Sequence, residues 1–224
     1  MTRYLLVALV SWLGIGCAGS TVSPDAGPPT DARPTTDALL DVAASPDAGL
    51  RPCEPGLPAD LCFLREEEKL ARDVYLALAA DSGLAIFDNI SMSEQTHTDA
   101  VAAVLSARGI ADPVTDDTPG AFIDPTLDAL HTSLVEQGRG DAVAALRVGA
   151  TIEDLDLHDI ATFRSRTTEA DALALYDALA CGSRNHLRSF AMQLDSRGVA
   201  YTAQSIPADE LAAILASPRE TCGR

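Results

Sequence analysis

The chain has 224 residues, a formal net charge of −17, 47% hydrophobic residues and 4% aromatic residues. This length accommodates one domain with accessory segments. The low aromatic content, together with abundant Ala and Leu, argues against a β-sandwich and favours closely packed helices. Because so acidic a surface repels a phosphate backbone, we expect no nucleic-acid partner.

Residues 1–17 have the pattern of an export signal. A basic start is followed by an apolar run over 4–15, which is shorter than the roughly 20 residues that a membrane-spanning helix needs. The sequence LGIGC at 13–17 resembles a bacterial lipobox, in which the cysteine becomes lipidated. We therefore predict an exported lipoprotein, periplasmic or at the cell surface, that contacts the membrane only through a lipid on Cys17. Plain secretion is the alternative.

Residues 18–58 are predicted to form a disordered linker. Eight of the 13 prolines fall in this stretch, and Pro-Asp-Ala-Gly occurs at 24–27 and again at 46–49. Such a segment has too few apolar residues to offset the entropy of ordering. The cysteines beyond the signal are even in number, which predicts two disulfides in an exported protein. They are Cys53, Cys62, Cys181 and Cys222.

The sequence predicts a helical domain over 59–218, followed by a tail at 219–224. Apolar residues spaced by three and four mark long amphipathic segments at 61–80, 89–108, 141–163 and 168–197. The connection between the second and third segments is long and includes a short helix near 125–137, and another short helix follows Pro207. Four long helices with one long middle connection predict an all-α bundle with a crossover.

Acids and histidines interrupt or border the apolar stripe of every long segment. They are Glu67 and Glu68 in the first segment, Glu94 and His97 in the second, Glu153 in the third and His186 in the fourth. A carboxylate buried without a partner costs several kcal/mol or becomes neutral. Two divalent ions would neutralise such a cluster, and mixed oxygen and nitrogen ligation suits iron, manganese or zinc.

Each of these residues also has an ordinary structural interpretation. Glu67 and Glu68 fit acids of a first helical turn, and Glu68 with Arg72 fits a surface ion pair. Glu94 and Glu153 fit solvated acids, and the histidines fit hydrogen-bonded interior side chains. The recurrence of the interruption on every stripe favours the metal site.

Four sequence runs resemble an uncharacterised ferritin-like family of bacterial and archaeal proteins, a domain of unknown function. The runs are REEEKLARDVY at 65–75, SEQTH at 93–97, IEDLD at 152–156 and GSRNHLR at 182–188. The resemblance implies a ferritin-like four-helix bundle that binds metal. More distantly, the chain is similar to rubrerythrin and other di-iron carboxylate proteins. The family tie implies no particular activity.

The similarity to di-iron proteins implies a ligand set. Those proteins carry a first-helix Glu with Ala at +3 and Tyr at +7, which matches Glu68, Ala71 and Tyr75 and leaves Glu67 in reserve. The other matching ligands are Glu94, His97, Glu153 and His186. Tyr75 would support the ligands as a hydrogen-bond donor.

One position departs from that pattern. Ser183 stands where the fourth helix should carry a Glu, so a metal-binding carboxylate is missing. Asp156, one turn beyond Glu153, is the reserve ligand; otherwise the site holds a single ion or binds one of two weakly. Iron is the expected metal, with manganese or zinc as alternatives.

Three functions follow from these patterns. The first is a di-metal protein that oxidises ferrous iron or reduces peroxide, with O₂ or peroxide as a further partner. The second is a metal-binding module without catalysis, for sequestration or delivery. The third is a metal-free helical interaction domain. The sequence leaves the oligomeric state open.

The implied bundle topology also gives an expected disulfide pairing. A long crossover makes the fourth long helix parallel to the first, which puts Cys62 and Cys181 at similar heights. We therefore expect a Cys62–Cys181 bridge. A Cys53–Cys222 bridge would then tie the two ends of the domain.

Overall fold

The computed structural model describes residues 50–223, which contain six α-helices and no strands. The helices are α1 (Leu57–Ser82), α2 (Ala85–Ala107), α3 (Pro125–Gly138), α4 (Ala142–Arg164), α5 (Ala170–Asp195) and α6 (Ala208–Ala216). The all-α class is confirmed, and each predicted segment lies within a few residues of an observed helix. The predicted signal at 1–17, its lipidated Cys17 and most of the predicted linker lie outside the described residues.

The long helices pack in the cyclic order α1, α2, α5, α4, since α1 contacts α2 and α4, and α5 contacts the same two helices. Gly83 ends α1 in the left-handed conformation with φ 65°, which glycine adopts without strain. The backbone N–H of Gly140, just before α4, donates to Asp81 at the end of α1 (2.8 Å). At the other end of the pair, the rings of Phe63 and Phe163 are 6.0 Å apart. Helix α4 therefore runs antiparallel to α1. Helix α5 follows α4 after a short connection and packs against it, so α5 runs back parallel to α1.

The apolar interior consists of two clusters with a layer of polar side chains between them. One cluster includes Leu61, Leu64, Val101, Ile160 and Leu179, and the other includes Val74, Tyr75, Ile90, Leu146 and Phe190. Each long helix contributes to both clusters and carries its buried acids or histidine in between. The two clusters therefore enclose the polar layer from both ends of the helices.

The expected disulfide pairing is wrong. Cys53 is bonded to Cys62, and Cys181 is bonded to Cys222. The parallel direction of α1 and α5 is correct, but these helices contact α2 and α4 rather than each other, so similar height does not bring Cys62 near Cys181. Each bridge instead joins a helix to a terminal segment that folds back on it. Two disulfides indicate an oxidising environment outside the cytosol.

The folded part extends beyond the predicted boundaries of 59–218. Helix α1 begins at Leu57, and the Arg51 N–H donates to the Gly109 carbonyl (2.8 Å). In the predicted tail, Glu220 accepts hydrogen bonds from Arg184 (2.8 Å). None of the helices within 50–223 is long and apolar enough to cross a membrane.

Candidate metal centre

The polar layer brings together the five predicted ligands from all four long helices. His97 Nδ1 on α2 lies 2.8 Å from Glu94 Oε2 and 3.2 Å from Glu68 Oε2 on α1. His186 Nδ1 on α5 lies 2.7 Å from Glu94 Oε1 and 3.4 Å from Glu153 Oε2 on α4. The two imidazole rings are stacked with centroids 5.4 Å apart. One ligand atom from each of Glu94, His97 and His186 lies within 4.8 Å of the other two.

Two of these atoms approach each other without forming a hydrogen bond. Glu94 Oε1 and His186 Nδ1 are buried and 2.7 Å apart, yet neither has an aligned hydrogen-bond partner in the described part of the chain. Glu68 Oε1 is likewise buried and unpartnered there. Carboxylate oxygens and imidazole nitrogens that converge in this way match the ligand arrangement that a cation requires.

Further hydrogen bonds hold the predicted ligands on the side away from the cluster. His186 Nε2 lies 3.0 Å from Ser93 Oγ, which leaves the Nδ1 of the same ring facing the carboxylates. The Tyr75 hydroxyl donates to Glu153 Oε1 (2.6 Å) and is 3.3 Å from the Gly149 carbonyl. Such outer contacts set the tautomer and direction of metal ligands. Tyr75 thus donates a hydrogen bond to Glu153, one of the predicted ligands.

Gly182 makes room for one of the histidines, a role that is not predicted from the sequence above. A Cβ at this position would lie 2.4 Å from His97 Nε2, so any larger residue on α5 would displace the ring. A glycine inside a helix costs about 1 kcal/mol relative to Ala, and this cost is a signal that a sequence can show. Gly182 lies in the middle of α5, directly before Ser183, where a glycine has no role in ending the helix.

The reserve residues lie beside the centre. A cavity of about 40 Å³ is bordered by Glu67, Glu68, Glu94, Glu153 and Asp156 together with apolar side chains. Asp156 Oδ2 accepts a hydrogen bond from Ser183 Oγ, whereas its Oδ1 has no partner in the described chain. The serine that replaces the expected Glu therefore holds a carboxylate from the neighbouring helix.

The acids and histidines of the layer shift one another's pKa values. Burial raises the pKa of Glu68 to about 7, although His97 opposes the shift. Burial alone would also raise the pKa of Glu94, but the charges of His97 and His186 lower it. The pKa of His186 rises to about 10 because Glu94 and Glu153 outweigh the effect of burial. Bound protons and imidazolium charges thus offset the negative charge of the buried carboxylates, as a cation in the same place would.

Residues 59–218 match the family described as an uncharacterised protein domain, DUF2202. The chain belongs to the DUF2202 family. The uncharacterised protein MJ0754 of Methanocaldococcus jannaschii is 47% identical over 160 residues, which cover 71% of this chain and 86% of that protein. A crystal structure of hypothetical protein MJ0754, from the same organism, superposes with a TM-score of 0.72 at 46% identity and covers 72% of this chain and 93% of that one. The DUF2202 fold of this chain is thus also that of a solved relative.

The ordinary interpretations of the acids fail for this DUF2202 domain. Glu67 and Glu68 do not lie in a first turn, because α1 begins at Leu57. Arg72 pairs with Asp73 (2.8 Å) and Asp117 (2.8 Å) rather than with Glu68. Both Glu94 and Glu153 are only 2% exposed, so neither belongs to a solvated acidic face.

Proposed function

We propose that this DUF2202 protein is an exported metal-binding protein. Glu94, His97 and His186 hold a transition-metal ion, and Glu68 and Glu153 complete its ligand set. The observation that carries the proposal is the convergence of two imidazole Nδ1 atoms on the two oxygens of one buried carboxylate, at 2.8 Å and 2.7 Å. Mixed nitrogen and oxygen ligands favour iron, with manganese and zinc as alternatives.

The charge balance of the layer supports the same proposal. Glu68, Glu94 and Glu153 bring three carboxylates into a layer enclosed by two apolar clusters. Burial of charged groups is costly unless they are paired or bind metal. A divalent ion offsets this charge and satisfies the buried oxygens that lack partners.

A ferritin-like relationship belongs to the same proposal. Two features support it: the crossover between α2 and the second pair of long helices, and ligands that come from all four of those helices. The spacing of Glu68 and Tyr75 on α1 also supports this relationship, because the Tyr75 hydroxyl donates a hydrogen bond to Glu153, another proposed ligand.

The cavity beside the centre favours a small reactant. Its volume of about 40 Å³ admits one or two molecules the size of water, O₂ or peroxide. Bound iron would supply redox chemistry toward such molecules. The chain's own residues would hold the ligands in place, through Ser93 and Tyr75, and limit the access of water. We therefore propose ferrous oxidation or peroxide reduction, with metal storage without turnover as the alternative outcome.

Metal analysis of the full chain, purified without chelator and reloaded with Fe²⁺, Mn²⁺ or Zn²⁺, tests the proposal. We expect at least one ion per chain in the wild type and at least a 100-fold rise in Kd for Glu94→Gln. Glu136→Gln, on the exposed side of α3, is the matched control and should bind as the wild type does. A wild type that binds none of these ions, or equal Kd values for wild type and Glu94→Gln, would overturn the proposal.

Consumption of O₂ or peroxide separates the two outcomes. Iron-loaded wild type should consume one of them, and Glu94→Gln should not. If the wild type binds iron but consumes neither, the protein stores or delivers metal.

A further inference from the structure

One short stretch of α5 carries three residues on which the layout of the polar layer depends. The absence of a side chain at Gly182 leaves space for the His97 ring, Ser183 donates a hydrogen bond to Asp156, and His186 is itself a proposed ligand. A glycine inside a helix costs about 1 kcal/mol relative to Ala, so it weakens the helix at this point. The direction of these side chains therefore depends on what else holds this stretch in place.

The C-terminal segment, residues 217–222, is attached to the outer side of the same stretch. Cys222 is bonded to Cys181. Asn185 Nδ2 donates to the Glu220 carbonyl (3.1 Å), and Asn185 Oδ1 accepts from the Glu220 N–H (2.9 Å). Cys181 is only 7% exposed and Asn185 only 8%, although neither side chain belongs to the polar layer. The segment therefore covers this side of α5 and is joined to it by a covalent bond and a reciprocal pair of hydrogen bonds.

Two arginines of α5 extend this attachment. Arg184 and Arg188 lie one turn apart, where like charges on a helix repel each other. The Glu220 carboxylate accepts hydrogen bonds from both, at 2.8 Å and 2.7 Å. Arg188 also donates to the Ile214 carbonyl (2.8 Å) and to Ser217 Oγ (2.7 Å). The attachment thus spans residues 181–188 of α5.

We propose that the C-terminal segment positions the metal ligands that depend on α5, an inference that rests on the proposed function. Two of its attachment points directly adjoin residues of the polar layer: Cys181 precedes Gly182, and Asn185 precedes His186. The segment holds α5 in helical geometry on both sides of the glycine. It therefore fixes the direction of the His186 ring and the space that the His97 ring occupies. Cys222 and Asn185 are positioning residues and do not contact the ion.

The second disulfide provides a contrast within the same chain. Cys53 is bonded to Cys62, which lies near the start of α1. The part of α1 that carries Glu68 is held separately, by hydrogen bonds from Arg65 and Arg72 to the connection between α2 and α3. Removal of this bridge therefore leaves the contacts around the ligands of α1 in place.

Cobalt binding by the full chain tests the proposal, because the visible absorption of bound Co²⁺ reports ligand geometry. Each protein is stripped with chelator and loaded with Co²⁺, and release of the ion into excess chelator is timed. We expect Cys181→Ser/Cys222→Ser to release Co²⁺ at least about tenfold faster than the wild type and to shift its absorption bands. Cys53→Ser/Cys62→Ser is the matched control. It should keep the release rate and the bands, although its Tm falls.

Hydrogen exchange of the ion-free proteins measures the attachment without metal. Backbone amides of residues 182–188 should exchange faster in Cys181→Ser/Cys222→Ser than in the wild type or the control. If this variant does not fold, Asn185→Ala takes its place, since it keeps both disulfides and removes both hydrogen bonds to the Glu220 backbone. Asn185→Asp retains the acceptor for the Glu220 N–H and should restore part of the wild-type release rate.

The outcomes separate this proposal from the proposed function. A lower Tm in Cys181→Ser/Cys222→Ser, with the release rate and bands of the wild type, shows a role in stability alone and overturns the proposal while the centre stands. Equally fast release from both double variants also overturns it, because a general loss of stability would then explain the effect. A wild type that binds no ion overturns the proposed function, and hydrogen exchange alone then decides whether the segment holds this stretch of α5.

Discussion

Glu94 stands between the two histidines of the centre and presents one carboxylate oxygen to each. Oε2 lies 2.8 Å from His97 Nδ1, and Oε1 lies 2.7 Å from His186 Nδ1. Burial alone would raise the pKa of Glu94, but the two imidazoles lower it, so this carboxyl stays ionised. Burial raises the pKa of Glu153 despite the opposing charge of His186. The proposed ligands thus differ in how readily they give up a proton to a metal ion.

We expect Tyr75→Phe to weaken metal binding without unfolding the protein. The Tyr75 hydroxyl donates to Glu153 Oε1 (2.6 Å), and the ring packs against Phe87 and Phe190. The substitution removes the hydrogen bond and keeps the packing. Loss of an outer partner of this kind costs about 10- to 100-fold in metal affinity. A competition titration against a chelating dye measures the change in Kd.

Tyr201→Phe is the control for that experiment. Tyr201 donates a hydrogen bond of similar length to Asp154 (2.8 Å), on the side of α4 that holds the connection to α6. This substitution should leave the metal Kd unchanged. If the Kd of Tyr75→Phe also equals that of the wild type, Tyr75 does not support a metal ligand.

Helix α1 carries two sets of buried charged residues on different sides. Glu67 and Glu68 face the polar layer and its cavity. The other set binds the connection between α2 and α3: Arg65 to Asp112 (3.1 Å), Lys69 to the Thr118 carbonyl (2.9 Å) and Arg72 to Asp117 (2.8 Å). The connection therefore covers α1 through ion pairs and hydrogen bonds. The charged run at 65–75 is buried on both sides as a result.

We expect Asp73→Asn to destabilise the protein by about 3–5 kcal/mol, because it leaves the buried charge of Lys69 without its partner. Asp73 Oδ2 accepts from Lys69 Nζ (2.6 Å) and from the Gly120 N–H (3.0 Å), and both side chains of the pair are fully buried. Urea unfolding measures the free energy of unfolding. Asp177→Asn is the control, since its pair with Arg164 is half exposed, and it should cost about 1 kcal/mol or less. Equal losses of unfolding free energy in the two variants would contradict the interpretation that the connection between α2 and α3 buries the Lys69–Asp73 ion pair.

The sequence predicts those parts of the site that depend on local spacing. Glu94 and His97 could be found because they lie one turn apart on an otherwise apolar helix face. The second set of charges on α1 could not be found, because Arg72 and Asp117 are 45 residues apart and only the folded connection brings them together. The same holds for Cys181 and Cys222, which are separated by 41 residues. Contacts between distant segments leave no periodic signal.

Over the whole molecule, the polar layer divides the apolar interior into two clusters, so the layer and the core are stabilised or destabilised together. Five buried carboxylates border the cavity, namely those of Glu67, Glu68, Glu94, Glu153 and Asp156. Each buried carboxylate carries a desolvation cost of several kcal/mol unless it is paired or protonated. An ion bound at the proposed centre would offset this cost only in the folded state and would therefore also stabilise the fold.

We expect the ion-free protein to lose more than about 1.4 kcal/mol of stability, the value of one pKa unit, between about pH 5 and about pH 9. Burial raises the pKa of Glu68 from 4.5 to about 7, and Glu94 and Glu153, against the effect of burial, raise that of His186 from 6.5 to about 10. The folded state therefore holds more protons than the unfolded chain over this range, and its stability falls as the pH rises. The lowered pKa of Glu94 acts in the opposite direction only below its usual value of 4.5. Urea unfolding in chelator measures the fall, and the same series with saturating Mn²⁺ should remove it, because the ion replaces the protons and binds more tightly as they leave. A stability in chelator that stays flat or rises across this range would show that these groups do not share a buried layer.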